Sequence, residues 1–298
     1  MIDIRSLTGK KIFLLDGAMG TELFRAGLPS GHCPEAWNLE EPEKVAAIHR
    51  SYFEAGSRAV LTNSFGGNAV KLFRYELQDK AYELNFQAAR IARSVCPPGC
   101  FVGGSIGPTG KFLQPVGELT EDRLYEAFRP QAEGLAAGGV DFFLIETQYD
   151  LREALAALRA VRDTTPLPVW VTMTFSLTKR GYFTIMGVSP EVFIRAMEEK
   201  AVEAFGANCT LNPAGMVELI KQMCRLTSTP LIVQPNAGQP RLGEDGSAYY
   251  DQGPEEFARY VPELIQAGAR IIGGCCGTTP EHIKKIAEKI SLLSDKID

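Results

Sequence analysis

The stretch Ala269-Arg270-Ile271-Ile272-Gly273-Gly274-Cys275-Cys276-Gly277-Thr278-Thr279-Pro280-Glu281 reads as a strand end, a bend and a helix start. The apolar run stops at two glycines. A capping threonine follows, and proline takes the first helical turn, where its missing N–H is not needed. Two adjacent cysteines stand in between. Successive strand side chains point to opposite faces, so both thiols reach one point only where the strand has ended and the backbone bends. Glycine permits that bend. Alone, the stretch supports two readings: a metal site completed by a further cysteine, or two inert buried thiols in a glycine-rich turn.

The same strand–bend–helix order recurs in the rest of the chain. Short β-branched or apolar runs lie at 12–15, 58–62, 101–105, 142–145, 169–173, 207–210, 231–234 and 270–272. They alternate with amphipathic stretches, which predict helices over about 42–55, 76–95, 121–137, 150–162 and 190–203, with Pro213 and Pro280 starting two more. The run at 207–210 is the weakest, and no linker or low-complexity segment interrupts the series. Eight such units in 298 residues is the plan of an α/β protein, a (β/α)8 TIM barrel spanning residues 1–298 as a single domain. A doubly wound sheet would need a switch point and usually has fewer units.

Barrel active sites sit at the C-terminal ends of the strands. The polar residues ending these runs are Asp16, Thr62, Asn63, Ser105, Glu146, Thr174, Cys209, Asn236, Cys275 and Cys276, and the loops at about 17–41 and 107–120 would rim the same mouth. Cys209 closes the sixth run and Cys275-Cys276 the eighth, so three thiols can converge. Three thiolates suit a soft or borderline ion, with one zinc ion per chain as the expectation. Three protein ligands and an open position are the catalytic rather than the structural pattern. An ion held by three thiolates is poorly suited to activating water. It is better suited to keeping a substrate thiol deprotonated, which argues for alkyl transfer to sulfur. Cys209, Cys275 and Cys276 are therefore both the candidate metal ligands and the candidate catalytic residues.

Asp16 and Glu146 add two carboxylates suited to a substrate ammonium; the bland alternative is a helix cap or a structural ion pair. Gly17-Ala18-Met19-Gly20-Thr21 offers successive backbone N–H groups suited to a carboxylate, or else is a plain turn. The main competitor is a metal-free enzyme using 273–279, ahead of a helix, as a phosphate site. That reading leaves Cys209 unexplained. The glycine-rich stretch 103–110 lacks the Gly-Lys-Ser/Thr of a phosphate loop. Cys33, Cys96, Cys100 and Cys224 read as ordinary thiols. His32 falls in a loop, while His49 and His282 are expected on helix surfaces, none of them as a ligand.

Bulk properties narrow the class. Hydrophobic residues make up 45% of the chain, enough for a full core, and 31 basic against 36 acidic residues give a net charge of −5 with no basic face for nucleic acid. No apolar run reaches the ~20 residues of a membrane span, and the N-terminus has no signal-peptide plan. Seven scattered cysteines do not form a secreted disulfide framework. The expectation is a cytoplasmic protein with no membrane or nucleic-acid partner.

The run 273–282 resembles the signature of the zinc-dependent homocysteine S-methyltransferase family, and most closely the homocysteine-binding module of cobalamin-dependent methionine synthase. Asp16-Gly17-Ala18-Met19-Gly20-Thr21, Ile106-Gly107-Pro108-Thr109-Gly110, Ile145-Glu146-Thr147, Asn208-Cys209 and Pro235-Asn236-Ala237-Gly238 resemble that module in the same order. The resemblance implies zinc on Cys209, Cys275 and Cys276, with the homocysteine thiolate as a further ligand. It implies that Glu146 and Asp16 bind the ammonium, the 17–21 backbone binds the carboxylate, and Asn236 lines the pocket. The product would be methionine. With no cobalamin or folate domain in these residues, the donor is expected to be a separate methyl-corrinoid protein. A small onium donor, S-methylmethionine or a betaine, is the alternative. Thr147 stands where the betaine enzymes carry an aromatic residue, which weakens the betaine option. A non-catalytic module binding homocysteine or a corrinoid partner is a further alternative.

Overall fold

The computed structural model describes residues 11–242 and 248–294. Eight strands form one parallel sheet: β1 (Phe13–Leu14), β2 (Ala59–Leu61), β3 (Phe101–Ile106), β4 (Phe142–Gln148), β5 (Val169–Met173), β6 (Ala204–Asn208), β7 (Leu231–Gln234) and β8 (Ala269–Ile272). Their order is β1-β8-β7-β6-β5-β4-β3-β2, with helices between successive strands. This is the TIM barrel expected. The seam between β1 and β2 is shut by few bonds. Arg58 N–H donates to Leu14 O at 2.7 Å, and Leu61 N–H donates to Asp16 Oδ2 at 2.8 Å. A side-chain carboxylate thus stands in for a main-chain carbonyl where the barrel closes.

Two cores follow from the two-residue period of the strands. Phe13, Leu15, Leu61, Phe142, Leu144, Trp170, Ile232 and Ile271 point inward and plug the barrel. Trp170 is the centre of the plug, its ring 4.1 Å from that of Phe142 and edge-on to Phe13 at 5.8 Å. The alternate residues, among them Leu14, Val60, Phe143, Ile145, Val171, Phe205 and Val233, pack outward against the helices. With both faces covered, such strands read as continuous apolar runs. Each fully buried aliphatic or aromatic side chain stabilises by about 1.5–3 kcal/mol. Above the plug the inward positions turn polar. Leu144 is followed two residues on by Glu146, Trp170 by Thr172 and Ile232 by Gln234, all buried.

The helices start where side chains supply the missing acceptors. Thr120, Asp150, Ser189 and Asn212 cap the helices Glu121–Gly138, Leu151–Thr164, Pro190–Glu199 and Pro213–Cys224 through their own side chains. Gly139 ends the first of these in a left-handed conformation at φ 97°.

Several boundaries differ from the sequence reading. The sixth strand is Ala204–Asn208, earlier than the expected 207–210, because Cys209 and Thr210 adopt φ of 60° and 59° and leave the ladder. Its small residues have weak β preference, which hid it. Gly206 is needed there because a Cβ would run into Ile232 O. The helix expected over 76–95 is Ala81–Ser94; Glu76 turns left-handed at φ 59° and separates it from short turns upstream. The helix from Pro190 stops at Glu199. Two unforeseen hairpins follow β5 and β7, pairing Ser176–Thr178 with Gly181–Phe183 and Pro240–Leu242 with Ala248–Tyr250. His49 and His282 are buried, not on helix surfaces. No helix among the described residues is long and apolar enough to cross a membrane.

Candidate functional site

The three thiols meet. The sulfurs of Cys209, Cys275 and Cys276 lie within 4.8 Å of one another, and Cys209 Sγ and Cys276 Sγ are 3.9 Å apart. The turn after β7 holds both cysteine segments. Cys209 N–H donates to Gln234 O at 3.0 Å, Cys275 N–H to Pro235 O at 2.8 Å, and Ala237 N–H to Cys276 O at 2.9 Å. Thr278 ties this loop to β1: its Oγ1 donates to Cys275 O at 2.7 Å and accepts from Ala18 N–H at 3.1 Å. Gly17 and Gly274 are glycines because Thr278 lies against both. A Cβ on Gly17 would stand 2.7 Å from Thr278 Oγ1.

The three sulfurs share charge unevenly. Hydrogen bonds from Cys209 and then Cys275 pull Cys276 down to about 3. Cys275 is pushed well above the usual thiol range by its bonds to Cys209 and Cys276 and by burial. Cys209 rises to about 11, the bond with Cys275 being outweighed by that with Cys276 and by burial. The phenol of Tyr250, from the second hairpin, also supports the charge on Cys276. Three convergent thiols with one of them readily ionised are a donor set that can hold a soft metal ion, displacing the remaining protons.

Across the mouth lie the carboxylates. Glu146 accepts from Ser105 Oγ at 2.5 Å and is pushed up to about 7 by burial, against the lowering effect of that bond. Asp16 is raised well above the ordinary carboxylate range by burial, against the Leu61 N–H bond, with Glu146 raising it further. Its Oδ1 is buried with no partner. No ion pair among the described residues involves either group. Two buried acids without a cation are electrostatically incomplete.

A cavity of about 280 Å³ runs from Met19, Thr62 and Phe65 past Ser105 and Glu146 to the three cysteines; Asp16 is buried and does not line it. All of the segment 17–21 lines it, but Ala18 N–H is already taken by Thr278 and Thr21 Oγ1 accepts from Gly277 N–H at 3.1 Å. The N–H groups of Met19, Gly20 and Thr21 begin the short helix Met19–Arg25, which has no side-chain cap. Asn236 does not line the cavity. It is buried, its N–H donates to Leu211 O at 3.0 Å, and its Oδ1 has no partner.

The phosphate readings do not survive the hydrogen bonding. In the eighth loop Gly277 N–H goes to Thr21 Oγ1, Thr278 N–H to Cys275 O and Thr279 N–H to His282 Nδ1, so no cradle of free donors remains. In the third loop Thr109 N–H and Oγ1 both donate to the buried Glu153 carboxylate at 2.7 Å, an anion the chain supplies itself. Ser105, Asn208, Thr278 and Tyr250 are site neighbours to which the sequence reading gave no role. Strand parity carried the signal for two of them: Ser105 faces inward two positions above Gly103, and Asn208 two above Gly206.

Fold and site together define a class, a (β/α)8 barrel whose mouth sets a metal-competent thiol cluster opposite buried acids. Residues 13–290 match the homocysteine S-methyltransferase family, and the chain belongs to it. It is 33% identical over 311 residues to a methionine synthase of Mycobacterium leprae and 34% identical over 307 residues to that of Mycobacterium tuberculosis. These alignments cover 98% and 97% of this chain, which spans about a quarter of the length of either relative (25%). Among solved structures, the metallated form of the homocysteine methyltransferase MmuM from Escherichia coli superposes with a TM-score of 0.79 at 25% identity, covering 96% of this chain and 98% of that one.

Proposed function

We propose that residues 1–298 form one homocysteine-binding barrel that transfers a methyl group to the homocysteine thiolate, giving methionine. The observation that carries this reading is the pairing, across one small cavity, of three convergent sulfurs with the buried Glu146 carboxylate, which lacks a cation and has the buried Asp16 within electrostatic reach. An amino acid bearing a thiol satisfies both ends. Zinc fits the sulfur end: tetrahedral coordination at Zn–S of about 2.3 Å separates sulfurs by about 3.8 Å, against 3.9 Å between Cys209 and Cys276. Cys209, Cys275 and Cys276 would hold the ion, which when bound keeps a substrate thiol ionised at neutral pH.

The rest is the work of the chain's own residues. Glu146 and Asp16 receive the substrate ammonium, and its arrival lowers both acids into their ionised forms. The N–H groups of Met19, Gly20 and Thr21 face the substrate carboxylate at a helix start, where the helix dipole favours an anion. The buried walls exclude water and fix the sulfur for in-line attack on a methyl carbon. We assign the donor to a methyl-corrinoid protein acting in trans. Its support is the higher identity to the methionine synthases and a cavity lined by one aromatic ring, Phe65. An onium donor would be better served by a cage of several rings. A small onium donor is the second reading, supported by the likeness to MmuM.

The test is metal analysis of reduced protein, followed by methionine formation from homocysteine with methyl-corrinoid protein, S-methylmethionine or betaine. Zinc near one equivalent and turnover with the corrinoid protein are expected. Folded, metal-free protein that makes no methionine with any donor would end the proposal.

A further inference from the structure

Asn208 stands between the two halves of the site, and its side chain uses its full hydrogen-bonding capacity. The last residue of β6, it is wholly buried. Its Oδ1 accepts from Thr147 N–H at 2.9 Å and from Thr172 Oγ1 at 2.9 Å. Its Nδ2 donates to Thr147 Oγ1 at 2.7 Å and to Cys275 Sγ at 3.8 Å. A primary amide has two acceptor and two donor positions, and all four are filled. Turning the amide over would set an NH2 against the Thr147 N–H, donor facing donor, whereas the hydroxyl and thiol partners could adapt; the Thr147 N–H is what fixes the orientation.

Strained backbone surrounds this one side chain. Thr147, Cys209 and Thr210 are non-glycine residues with φ of 61°, 60° and 59°. Such conformations are costly for non-glycine residues and persist only when their surroundings over-determine them. Thr147 directly follows Glu146, and Cys209 directly follows Asn208. The two bonds between Asn208 and Thr147 hold the turn that aims the Glu146 carboxylate, while the third group on the amide reaches the sulfur cluster. No other side chain among the described residues bonds both the Glu146–Thr147 turn and a cysteine of the cluster.

We propose that Asn208 is a positioning residue that sets the separation and orientation of the sulfur end of the acceptor site relative to its ammonium end, and so selects the length of the amino-acid thiol. The proposal rests on the acceptor reading above. A rigid link between the ends favours homocysteine over cysteine, whose chain is one methylene shorter and cannot reach sulfur cluster and carboxylates together. The N–H···S bond also fixes Cys275 as an outer-shell partner does, and loss of such partners typically weakens metal binding by about 10–100-fold.

Asn208→Asp is the informative variant. It keeps shape and both accepted bonds but cannot donate to Cys275 or Thr147. Thr172→Val is its structural control, since it removes one accepted bond on the side of Asn208 away from the cysteines. Three readouts apply: cobalt(II) affinity with its sulfur-to-cobalt absorption band, homocysteine binding to cobalt-loaded protein by titration, and the homocysteine-to-cysteine preference in that titration. Asn208→Asp is expected to remain folded, to bind cobalt at least tenfold more weakly with a shifted band, and to lose about tenfold in homocysteine preference. Thr172→Val is expected to lower the melting temperature and leave the preference unchanged. Wild-type preference in Asn208→Asp, or an equal loss in both variants, would overturn the positioning role. If wild-type protein binds cobalt but shows no homocysteine-dependent change in its band, the acceptor reading itself has failed.

Discussion

The sulfur side and the carboxylate side of the pocket solve the same electrostatic problem differently. On the sulfur side, β6, β7 and β8 deliver three thiols onto one point through main-chain bonds from Cys209, Cys275 and Ala237. Charge is shared there among the sulfurs themselves. On the carboxylate side, β1 and β4 bury two acids with only Ser105 Oγ and the Leu61 N–H for company. Charge is relieved there by protonation. In the proposed function a metal would complete the first and an ammonium the second, each side calling for a cation of a different kind. Asp16 also shows that the carboxylate side is part of the barrel wall, because one of its oxygens shuts the β1–β2 seam.

The largest break in this comparison removes a sulfur. Cys276→Ala deletes the thiol that carries the charge of the trio. Bound zinc is expected to fall near zero and turnover by at least about 10³-fold, with the fold intact by circular dichroism. Zinc retained at one equivalent would show that the other two sulfurs suffice. Removing zinc from wild-type protein with a chelator is expected to abolish turnover in the same way and to be reversed by adding the ion back.

Glu146→Gln breaks the other side and separates stability from function. The folded-state value of about 7 lies above the ordinary 4.5, so the stability that Glu146 contributes is fully present below pH 4.5 and lost as pH rises through 7. The amide has no such loss. In substrate-free protein above pH 7 the variant should gain up to roughly 3 kcal/mol relative to wild type, seen by denaturant melts at pH 5 and 8. Homocysteine binding should weaken by about 10²-fold. A variant that binds homocysteine normally would remove Glu146 from the ammonium site.

An effect of similar size appears in acid, away from the pocket. His49 is wholly buried, neither ring nitrogen has a partner, and burial lowers it from 6.5 to about 3. The neutral ring is favoured in the folded chain, so stability is fully present above pH 6.5 and declines as pH falls towards 3. His49→Leu should flatten that decline in a melting series between pH 7 and 4. Ser105→Ala gives the smallest change. Losing its bond lets Glu146 rise further, so the acid limb of the activity profile should move to higher pH with only a few-fold loss at pH 8. An unmoved limb would mean that another group controls it.

Much of this was legible in the chain because it rests on short-range rules. The end of the fourth apolar run placed Glu146 at the barrel mouth, and an apolar run ending in two glycines placed Cys275-Cys276 there too. The caps Thr120, Asp150 and Ser189 stand at the starts of their helices, and the alternation of runs and amphipathic stretches fixed the barrel. What stayed hidden depends on contacts between distant segments. Residues 204–208 look too small and glycine-rich for a strand, until Ile232 of the neighbouring β7 explains why Gly206 must be there. His49 and His282 have neighbours of helical character, and only the packing of their helices against the barrel buries them.

The sequence by itself named the candidate residues and the end of the barrel they occupy, because both follow from the period of a strand and the residues that end it. Only the tertiary structure decided how those residues stand to one another. It brought the three sulfurs together and left Asp16 with one oxygen spent on Leu61 and the other free. It also consumed the N–H groups of the eighth loop, which the phosphate reading had needed. Distances across a closed barrel are set by all eight strands at once, and no local run of residues encodes them.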